Sequence, residues 1–241
     1  MENLLIIGCG DVARRALPEL QRRYRVTVLV RSPDPALAPR GRGAMLPRRF
    51  VYLSTSGVYG DCAGEWVDET RPPNPQTERA MRRLDAERTL GDWGERNEVE
   101  IVILRVPGIY ARDRLPLERL ARGTPVLEPE HDVYTNHIHA DDLAGILVAA
   151  LESTGARGVY NASDDGPTKM GEFFDLVADR SGLARPPRVS REEAARLLPP
   201  ELLSFMSESR RLSNRRMKTQ LGVRLRYSTV RDGIPRIREA A

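Results

Sequence analysis

The feature that most restricts the fold is an apolar segment, Leu4–Ile7, that ends directly in a glycine-rich turn. The residues after the turn, Asp11 to Tyr24, carry apolar side chains at Val12, Leu17 and Leu20 among charged ones, as an amphipathic helix does. A short apolar segment of this kind is typical of a strand that is buried on both faces of a sheet. The sequence therefore predicts a chain that begins as strand, tight turn and helix.

The same alternation continues along the chain. Further strands are predicted at Val26–Val30, Phe50–Leu53, Ile101–Val106 and Val159–Ala162, and further helices at Arg79–Trp93 and Asp141–Leu151. Strands that alternate with helices predict an α/β fold with a mostly parallel sheet. After Ser163 the pattern changes to helices without long strands, at Lys169–Ser181, Arg191–Leu198 and about Ser213–Leu221. A small, mainly helical C-terminal part is therefore expected.

Composition narrows the class of protein. No apolar segment approaches the roughly 18 to 20 residues of a membrane helix, and the N-terminus lacks the basic region of a secretory signal. The net charge is +4, but only two of the 38 basic residues are lysines, and the arginines are dispersed among acids rather than clustered as in a nucleic-acid site. We expect a cytoplasmic protein with a small-molecule substrate and no nucleic-acid or membrane partner; homodimerisation is left open.

The glycine turn itself predicts a ligand. Residues Gly8, Cys9, Gly10, Asp11, Val12 and Ala13 match the pattern G-x-G-x-x-[G/A] between a strand and a helix. Gly8 permits the tight turn, Gly10 lets a pyrophosphate approach the backbone, and Ala13 allows the helix to pack closely on the strand. Such turns also occur as plain connections, but at the first strand–helix junction of an α/β chain the pattern favours a dinucleotide.

The end of the second strand bears on cofactor choice. Arg31 stands where a carboxylate would bind the ribose 2′-hydroxyl of NAD, and an arginine there suits the 2′-phosphate of NADP. The alternative is a solvated arginine in an arginine-rich protein. We therefore predict NADP, with NAD as the other candidate.

A series of short motifs follows in order along the chain: Tyr52–Gly60, Glu69 with Pro72 and Pro73, Leu104–Tyr110, Ile138–Ala144, Gly158–Asn161, and Leu221-Gly222 with Asp232-Gly233. Together they resemble the extended short-chain dehydrogenase/reductases, the NAD(P)-dependent epimerase/dehydratase family, and in particular its atypical members. The resemblance implies a Rossmann-like, doubly wound parallel sheet over residues 1–162 and a small, mainly helical substrate-binding region over residues 163–241. Residues 107–135 are expected to contribute to the substrate side.

The resemblance also implies a site. Its cofactor-binding residues would be the glycine turn, Arg31, Ser54, Val106 and Pro107; its catalytic residues would be Thr55, Ser56 and Tyr59; and Arg79, Arg83 and Tyr110 would bind substrate. The alternative for Tyr59 and Tyr110 is a packing residue with a hydrogen-bonded hydroxyl. The family's Tyr-x-x-x-Lys pair, counted back from Glu87, falls on Arg79 and Arg83, and no tyrosine in the chain has a lysine four residues later. Arginine cannot be deprotonated at ordinary pH, so it cannot act as the base.

Other departures concern the substrate. Nucleotide-sugar enzymes of the family bind the diphosphate of their substrate with an arginine, and this chain has Thr135 at that position. It also has Gly108 where those enzymes have an asparagine. We therefore expect an anion other than a nucleotide sugar as the substrate. The arginines of 210–216 are further candidates for binding it. Phe173 and Phe174 are predicted to be core residues. His137 and His139 would share one face of an extended segment, but no third ligand is evident and no metal is predicted.

Two functions remain open. One is an NAD(P)-dependent oxidoreductase or epimerase-like enzyme with an altered acid/base apparatus. The other is a catalytically inactive NADP-binding sensor that acts through a partner. The missing base favours the sensor, whereas the retained Ser/Thr loop favours the enzyme.

The connection between Arg31 and Phe50 is unusually short. Its 18 residues include four prolines, enough for one short helix and no further strand. The family places two more strands here, one of them beside the first strand. We therefore expect either that part of the natural chain is missing between about Pro35 and Gly43, or that the first and third strands pair directly.

Overall fold

The computed structural model describes residues 2–7, 10–29 and 46–236. The strands are β1 (Glu2–Ile7), β2 (Tyr24–Leu29), β3 (Arg49–Thr55), β4 (Trp66–Val67), β5 (Glu100–Val106), β6 (Gly108–Tyr110), β7 (Val126–Leu127), β8 (Tyr134–Thr135), β9 (His137–His139), β10 (Gly158–Asn161), β11 (Thr168–Lys169), β12 (Arg188–Val189) and β13 (Arg211–Leu212). The helices are α1 (Asp11–Arg23), α2 (Glu78–Asn97), α3 (Leu117–Ala121), α4 (Ala140–Glu152), α5 (Met170–Ser181), α6 (Arg191–Leu197), α7 (Pro200–Met206), α8 (Arg215–Leu221) and α9 (Val230–Gly233).

The long strands are all parallel, as the alternation of strands and helices predicts. β1 pairs with β2 through the crossover α1. A second sheet has the order β10-β5-β3, and its two outer strands both run parallel to β5. The α/β fold is therefore confirmed.

Helices cover both faces of the three-stranded sheet. Along β5, Val102, Leu104 and Val106 point to one face and pack against Leu143 and Ile146 of α4 and Met217 of α8. The other face packs on α2, where Gly94 lies so close to Ile101 that a Cβ would stand 2.3 Å from its side chain. A parallel sheet buried in this way is the doubly wound arrangement.

A second core lies on the C-terminal side. Phe173, Phe174 and Val177 of α5 pack with Leu120 of α3 and Tyr110 of β6. Residues from the stretch 107–135 thus share a core with the helices that follow residue 163, and their place on the substrate side stays a prediction. The boundary at residue 162 stays a prediction.

The sequence located the long elements well and missed the short ones. The helix predicted over Arg79–Trp93 extends over Glu78–Asn97. It begins at Glu78 because Thr77 caps its N-terminus by accepting a hydrogen bond from the Ala80 amide. The strands β6, β8 and β9 and the helix α7 were not predicted. Strands of two or three residues are too short to show an alternation of apolar and polar side chains.

The short connection after the second strand lies outside the described residues, as do Gly8, Cys9 and Arg31. The hypothesis of a missing segment between Pro35 and Gly43 therefore stays a prediction. In the part of the chain that the structure describes, β1 forms no ladder with β3. Over the same residues, no helix is long and apolar enough to cross a membrane.

Candidate active site

A cavity of about 500 Å³ opens at the carboxyl ends of β3 and β5. Its walls come from four parts of the chain: the ends of the two strands (Ser54–Gly57 and Val106–Ile109), the start of α2 (Thr77, Arg79, Ala80, Arg83), the segment Tyr134–His137 with Arg119, and the C-terminal region (Met170, Phe173, Phe174, Ser204, Phe205, Glu208, Arg210). Ligands of parallel α/β sheets bind at this edge, and the volume is typical of a small-molecule site.

The loop after β3 brings hydroxyl groups to the cavity. Thr55 caps the 3-10 turn Ser56–Tyr59, since its hydroxyl oxygen accepts a hydrogen bond of 3.2 Å from the amide of Gly57. That bond uses an acceptor site of the hydroxyl and leaves its O–H as a donor. Ser56 is buried on the same wall. The two residues that the sequence singled out for catalysis are therefore adjacent in the cavity.

Tyr59, the third predicted catalytic residue, is not among the residues that line the cavity. The 3-10 turn directs it into the protein, where its hydroxyl donates a hydrogen bond of 2.8 Å to the side-chain oxygen of Asn161. Burial raises the pKa of Tyr59 above its usual value. The structure thus places this residue in the core beside the site.

Ser54 belongs to a buried ionic network behind the cavity wall. Its hydroxyl donates to a carboxylate oxygen of Glu87 at 2.5 Å, and the guanidinium of Arg105 pairs with the same carboxylate at 2.7 Å. Arg105 also lies 4.6 Å from the centre of the Tyr59 ring. The network fixes the end of β3 against α2 and β5.

Arg79 and Arg83, the positions at which the family's tyrosine and lysine are expected from the sequence, lie on the cavity wall. The guanidinium of Arg79 lies over the ring of Phe205 at 4.8 Å, and Arg83 donates a hydrogen bond of 3.0 Å to the hydroxyl of Tyr52. Both side chains are largely exposed. They can attract an anion to the mouth of the cavity.

Tyr110, predicted to bind substrate, is buried outside the cavity wall. Its hydroxyl donates to the carbonyl oxygen of Thr229, and burial raises its pKa far above the usual value. The ring packs edge-on against His137 and His139. Its contacts are those of a packing residue between β6 and β9.

The two histidines of β9 have different environments. His137 lines the cavity and stacks on Phe173, with ring centres 4.1 Å apart, and burial lowers its pKa to about 3. It is therefore neutral at physiological pH. His139 caps α4, where its Nδ1 accepts a hydrogen bond from the amide of Asp141. Among the described residues no group of three side chains is arranged to hold a metal ion.

The described part of the glycine turn leads into α1. Gly10 precedes the helix, and no atom of the described residues lies within 4 Å of the place where a Cβ would stand. Val12 is buried against the sheet, and Ala13 is half-buried. Burial opposes ionisation of Asp11, but its bonds to Arg15 and Arg114 outweigh burial and lower its pKa.

The charges around the cavity are mostly positive. Arg79, Arg83, Arg119 and Arg210 line it, whereas the lining includes one carboxylate, that of Glu208. Glu208 pairs with Arg210 at 2.8 Å. Arg119 and Glu208 were not identified from the sequence, because neither belongs to a motif.

Comparisons with known proteins agree with this geometry. The sequence model of the NAD dependent epimerase/dehydratase family matches residues 40–163. A 3-diazoavenalumate denitrifying reductase of a Streptomyces species is 31% identical over 211 residues, which are 83% of this chain and 67% of the reductase. The dTDP-D-glucose 4,6-dehydratase of Mus musculus is 23% identical over 121 residues, which are 47% of this chain and only 34% of the dehydratase.

Solved structures extend the similarity over nearly the whole chain. A functionally unknown conserved protein from Silicibacter pomeroyi aligns with a TM-score of 0.83 and 29% identity over 97% of both chains. The UDP-glucose 4-epimerase of Thermus thermophilus, in complex with NAD, aligns with a TM-score of 0.71 and 19% identity over 96% of both chains. A human epimerase family protein with NADPH has a TM-score of 0.74 and 16% identity, covering 98% of this chain and 99% of its own. The last two share the fold.

Proposed function

This chain belongs to the NAD-dependent epimerase/dehydratase family, and we propose that it is an NAD(P)-dependent oxidoreductase that reduces a small anionic substrate. The observation that carries the proposal is the cavity lined by Thr55 and Ser56, in which four of the five charged side chains are arginines. The similarity to a reductase over 83% of the chain supports reduction rather than epimerisation.

The described residues fit a nicotinamide dinucleotide. Gly10 leaves open space at the N-terminus of the 13-residue helix α1, whose first amide groups have no partners within the helix and attract phosphate. Ser54, Val106 and Pro107 line the cavity at the strand ends and would hold the nicotinamide end. Reduced nicotinamide, when bound, supplies a hydride.

The remaining chemistry falls to side chains of the cavity. The O–H of Thr55 donates a hydrogen bond to the substrate atom that gains negative charge as it is reduced. Arg79 and Arg83 keep their protons and attract the anionic substrate to the mouth of the cavity. Phe173 and Phe174, which are buried on the cavity wall, shield the reacting atoms from water. Reduction takes up one hydride and one proton, and the proton would come from solvent at the mouth of the cavity. No deprotonated side chain is needed, which suits a cavity with arginines at the two positions that align with the family's tyrosine and lysine.

The Thr55→Val substitution tests the proposal. It keeps the volume of the side chain and removes the hydroxyl, both as donor to the substrate and as cap of the turn Ser56–Tyr59. We expect reduction to slow by about 100-fold or more while the affinity for NADPH is unchanged, and Thr55→Ser, which keeps the hydroxyl, to retain most of the activity. The measurement is the loss of NADPH absorbance with a panel of small carboxylates that carry reducible groups. Thr219→Val, on the exposed face of α8, is the control and should retain full activity.

Two results would contradict the proposal. Binding of NADPH without turnover of any member of the panel would favour a catalytically inactive sensor. Epimerisation of UDP-glucose would show that the substrate is a nucleotide sugar, despite Thr135 and Gly108 at the positions of the family's diphosphate and asparagine contacts.

The second prediction concerns the choice of cofactor. We expect NADPH to bind more tightly than NADH, and Arg31→Ala to weaken NADPH binding by about 10-fold or more without a comparable effect on NADH. The reason is that a guanidinium bound to the 2′-phosphate contributes roughly 1.5 to 3 kcal/mol. Calorimetric titration of both cofactors measures the preference. Arg25→Ala, near the start of β2, is the matched control; equal losses in both variants would refute the role of Arg31.

A further inference from the structure

Arg119 is the unusual cation of the cavity. The side chains of Arg49, Arg105 and Arg210 are 6%, 5% and 12% exposed, and each pairs with a carboxylate at 2.7 to 2.8 Å. Arg119 is half-buried, and among the described residues it pairs with no carboxylate. Its Nε atom is shielded from solvent and has no hydrogen-bond partner among the described residues. A terminal nitrogen of the same guanidinium donates a hydrogen bond of 3.4 Å to the carbonyl oxygen of Pro125.

A shielded cation without a counter-ion is costly, and burial accordingly lowers the pKa of Arg119. The other cation inside the cavity, Arg210, is already neutralised by Glu208. Arg79 and Arg83 are exposed at the mouth. One negative charge brought into the cavity would therefore find its counter-charge at Arg119.

The surroundings of Arg119 are aromatic. Its guanidinium lies 4.3 Å from the centre of the Phe174 ring, Phe174 packs edge-on against Phe173 at 5.7 Å, and Phe173 stacks on His137. These three rings form a continuous surface, the aromatic wall, that ends at Arg119. Because His137 is neutral, the wall adds no second charge.

We propose that the cavity binds an aromatic monocarboxylate, whose ring packs on the aromatic wall and whose carboxylate binds Arg119. The proposal rests on the oxidoreductase function above and names its class of substrate. A planar aromatic ring can stack on, or pack edge-on against, the rings of the aromatic wall. A carboxylate matches the planar fork of a guanidinium, which it can bind through two parallel hydrogen bonds.

A diphosphate suits the cavity less well. It carries at least two negative charges, whereas among the described residues Arg119 is the one cation inside the cavity that is not paired with a carboxylate. The side chain of Thr135 is occupied by a hydrogen bond to the carbonyl oxygen of Thr168. A single carboxylate is thus the anion that the interior can neutralise.

Titration calorimetry with trans-cinnamate, on protein saturated with NADP⁺, tests the proposal. Cinnamate should bind at least 10-fold more tightly than cinnamide, which has the same ring and no charge, and more tightly than hexanoate or inorganic phosphate. Arg119→Gln should weaken cinnamate binding by about 10-fold or more and leave cinnamide binding unchanged; unchanged cinnamide binding also shows that the variant is folded. Arg119→Lys should recover part of the affinity.

Arg122→Gln is the matched control, because Arg122 follows the same helix, is exposed and pairs with Glu118. It should bind cinnamate as the wild type does. Equal affinities for cinnamate and cinnamide, or no effect of Arg119→Gln, would overturn the proposal, and phosphate or hexanoate binding as well as cinnamate would overturn its aromatic part. If the protein binds cinnamate through Arg119 but does not bind NADP⁺, the oxidoreductase function fails and the carboxylate site stands.

Discussion

Replacing Glu87 with glutamine is expected to lower the free energy of unfolding by about 3 to 5 kcal/mol. Glu87 and Arg105 are 4% and 5% exposed, and the carboxylate of Glu87 is the counter-charge of Arg105. The substitution leaves a guanidinium buried with no negative charge, and it also weakens the bond from Ser54. Urea unfolding of the two proteins measures the difference.

Two further variants separate this effect from simple loss of a charge. Glu78→Gln removes a carboxylate from the same helix, but that side chain is exposed, and its pair with Arg82 contributes little, so stability should hardly change. The double variant Glu87→Leu/Arg105→Met removes both buried charges and should be more stable than Glu87→Gln. A Glu87→Gln protein within about 1 kcal/mol of wild type would contradict the role that we assign to the network.

Asp164 should make the protein less stable as the pH rises through neutrality. The side chain is 2% exposed, one of its oxygens has no partner among the described residues, and burial raises its pKa to about 8. The nearby Asp165, Asp142 and Asp232 act in the same direction. Asp164 is therefore protonated in the folded protein at pH 7 and ionised in the unfolded chain.

The sign of the effect follows from proton binding. Between about pH 4 and pH 8 the folded state holds a proton that the unfolded state has lost, so each rise in pH favours unfolding. From pH 5 to pH 8 the loss should be on the order of 2 to 4 kcal/mol. Asp164→Asn, which resembles the protonated acid, should remove that part of the pH dependence.

Unfolding in urea at several pH values measures this loss. Asp179→Asn is the control: Asp179 is exposed, and its bond to Arg185 lowers its pKa, so it titrates below this range. As the pH rises, the free energy of unfolding should fall by the same amount in the wild type and in Asp179→Asn. The same slope in Asp164→Asn would show that Asp164 is ionised in the folded state.

The sequence predicted the parts of the fold that local patterns determine. The parallel strands and the long helices follow from apolar periodicity, and the positions of Thr55 and Ser56 follow from the end of β3. In the sequence analysis Glu87 served only to locate Arg79 and Arg83 by counting back along the chain. Nothing in the sequence near Glu87 indicates that it pairs with Arg105. The pairing depends on how α2 packs across β5.

Other site residues depend on contacts that are distant in the sequence. Tyr59 follows the Ser/Thr loop and so resembles a catalytic residue, but its partner, Asn161, lies 102 residues away. Arg119 is one arginine among many, and only the position of Phe174, brought in by α5, shows that it is enclosed. Phe173 and Phe174, predicted as core, are core residues that also line the cavity.

The amide of Asn161 has a consequence for synthesis on the ribosome. It is fully buried, accepts the bond from Tyr59, and donates to the carbonyl oxygens of Val67 and Ser213, the latter 52 residues further along the chain. Asn136 likewise bonds Arg210 and Leu212 through its side chain. At ordinary rates of translation Ser213 is added roughly 3 to 10 s after Asn161. Until residues 210–213 have been synthesised, each amide lacks part of its hydrogen bonds, so the interior beneath the cavity is complete only after the segment around β13 has been added.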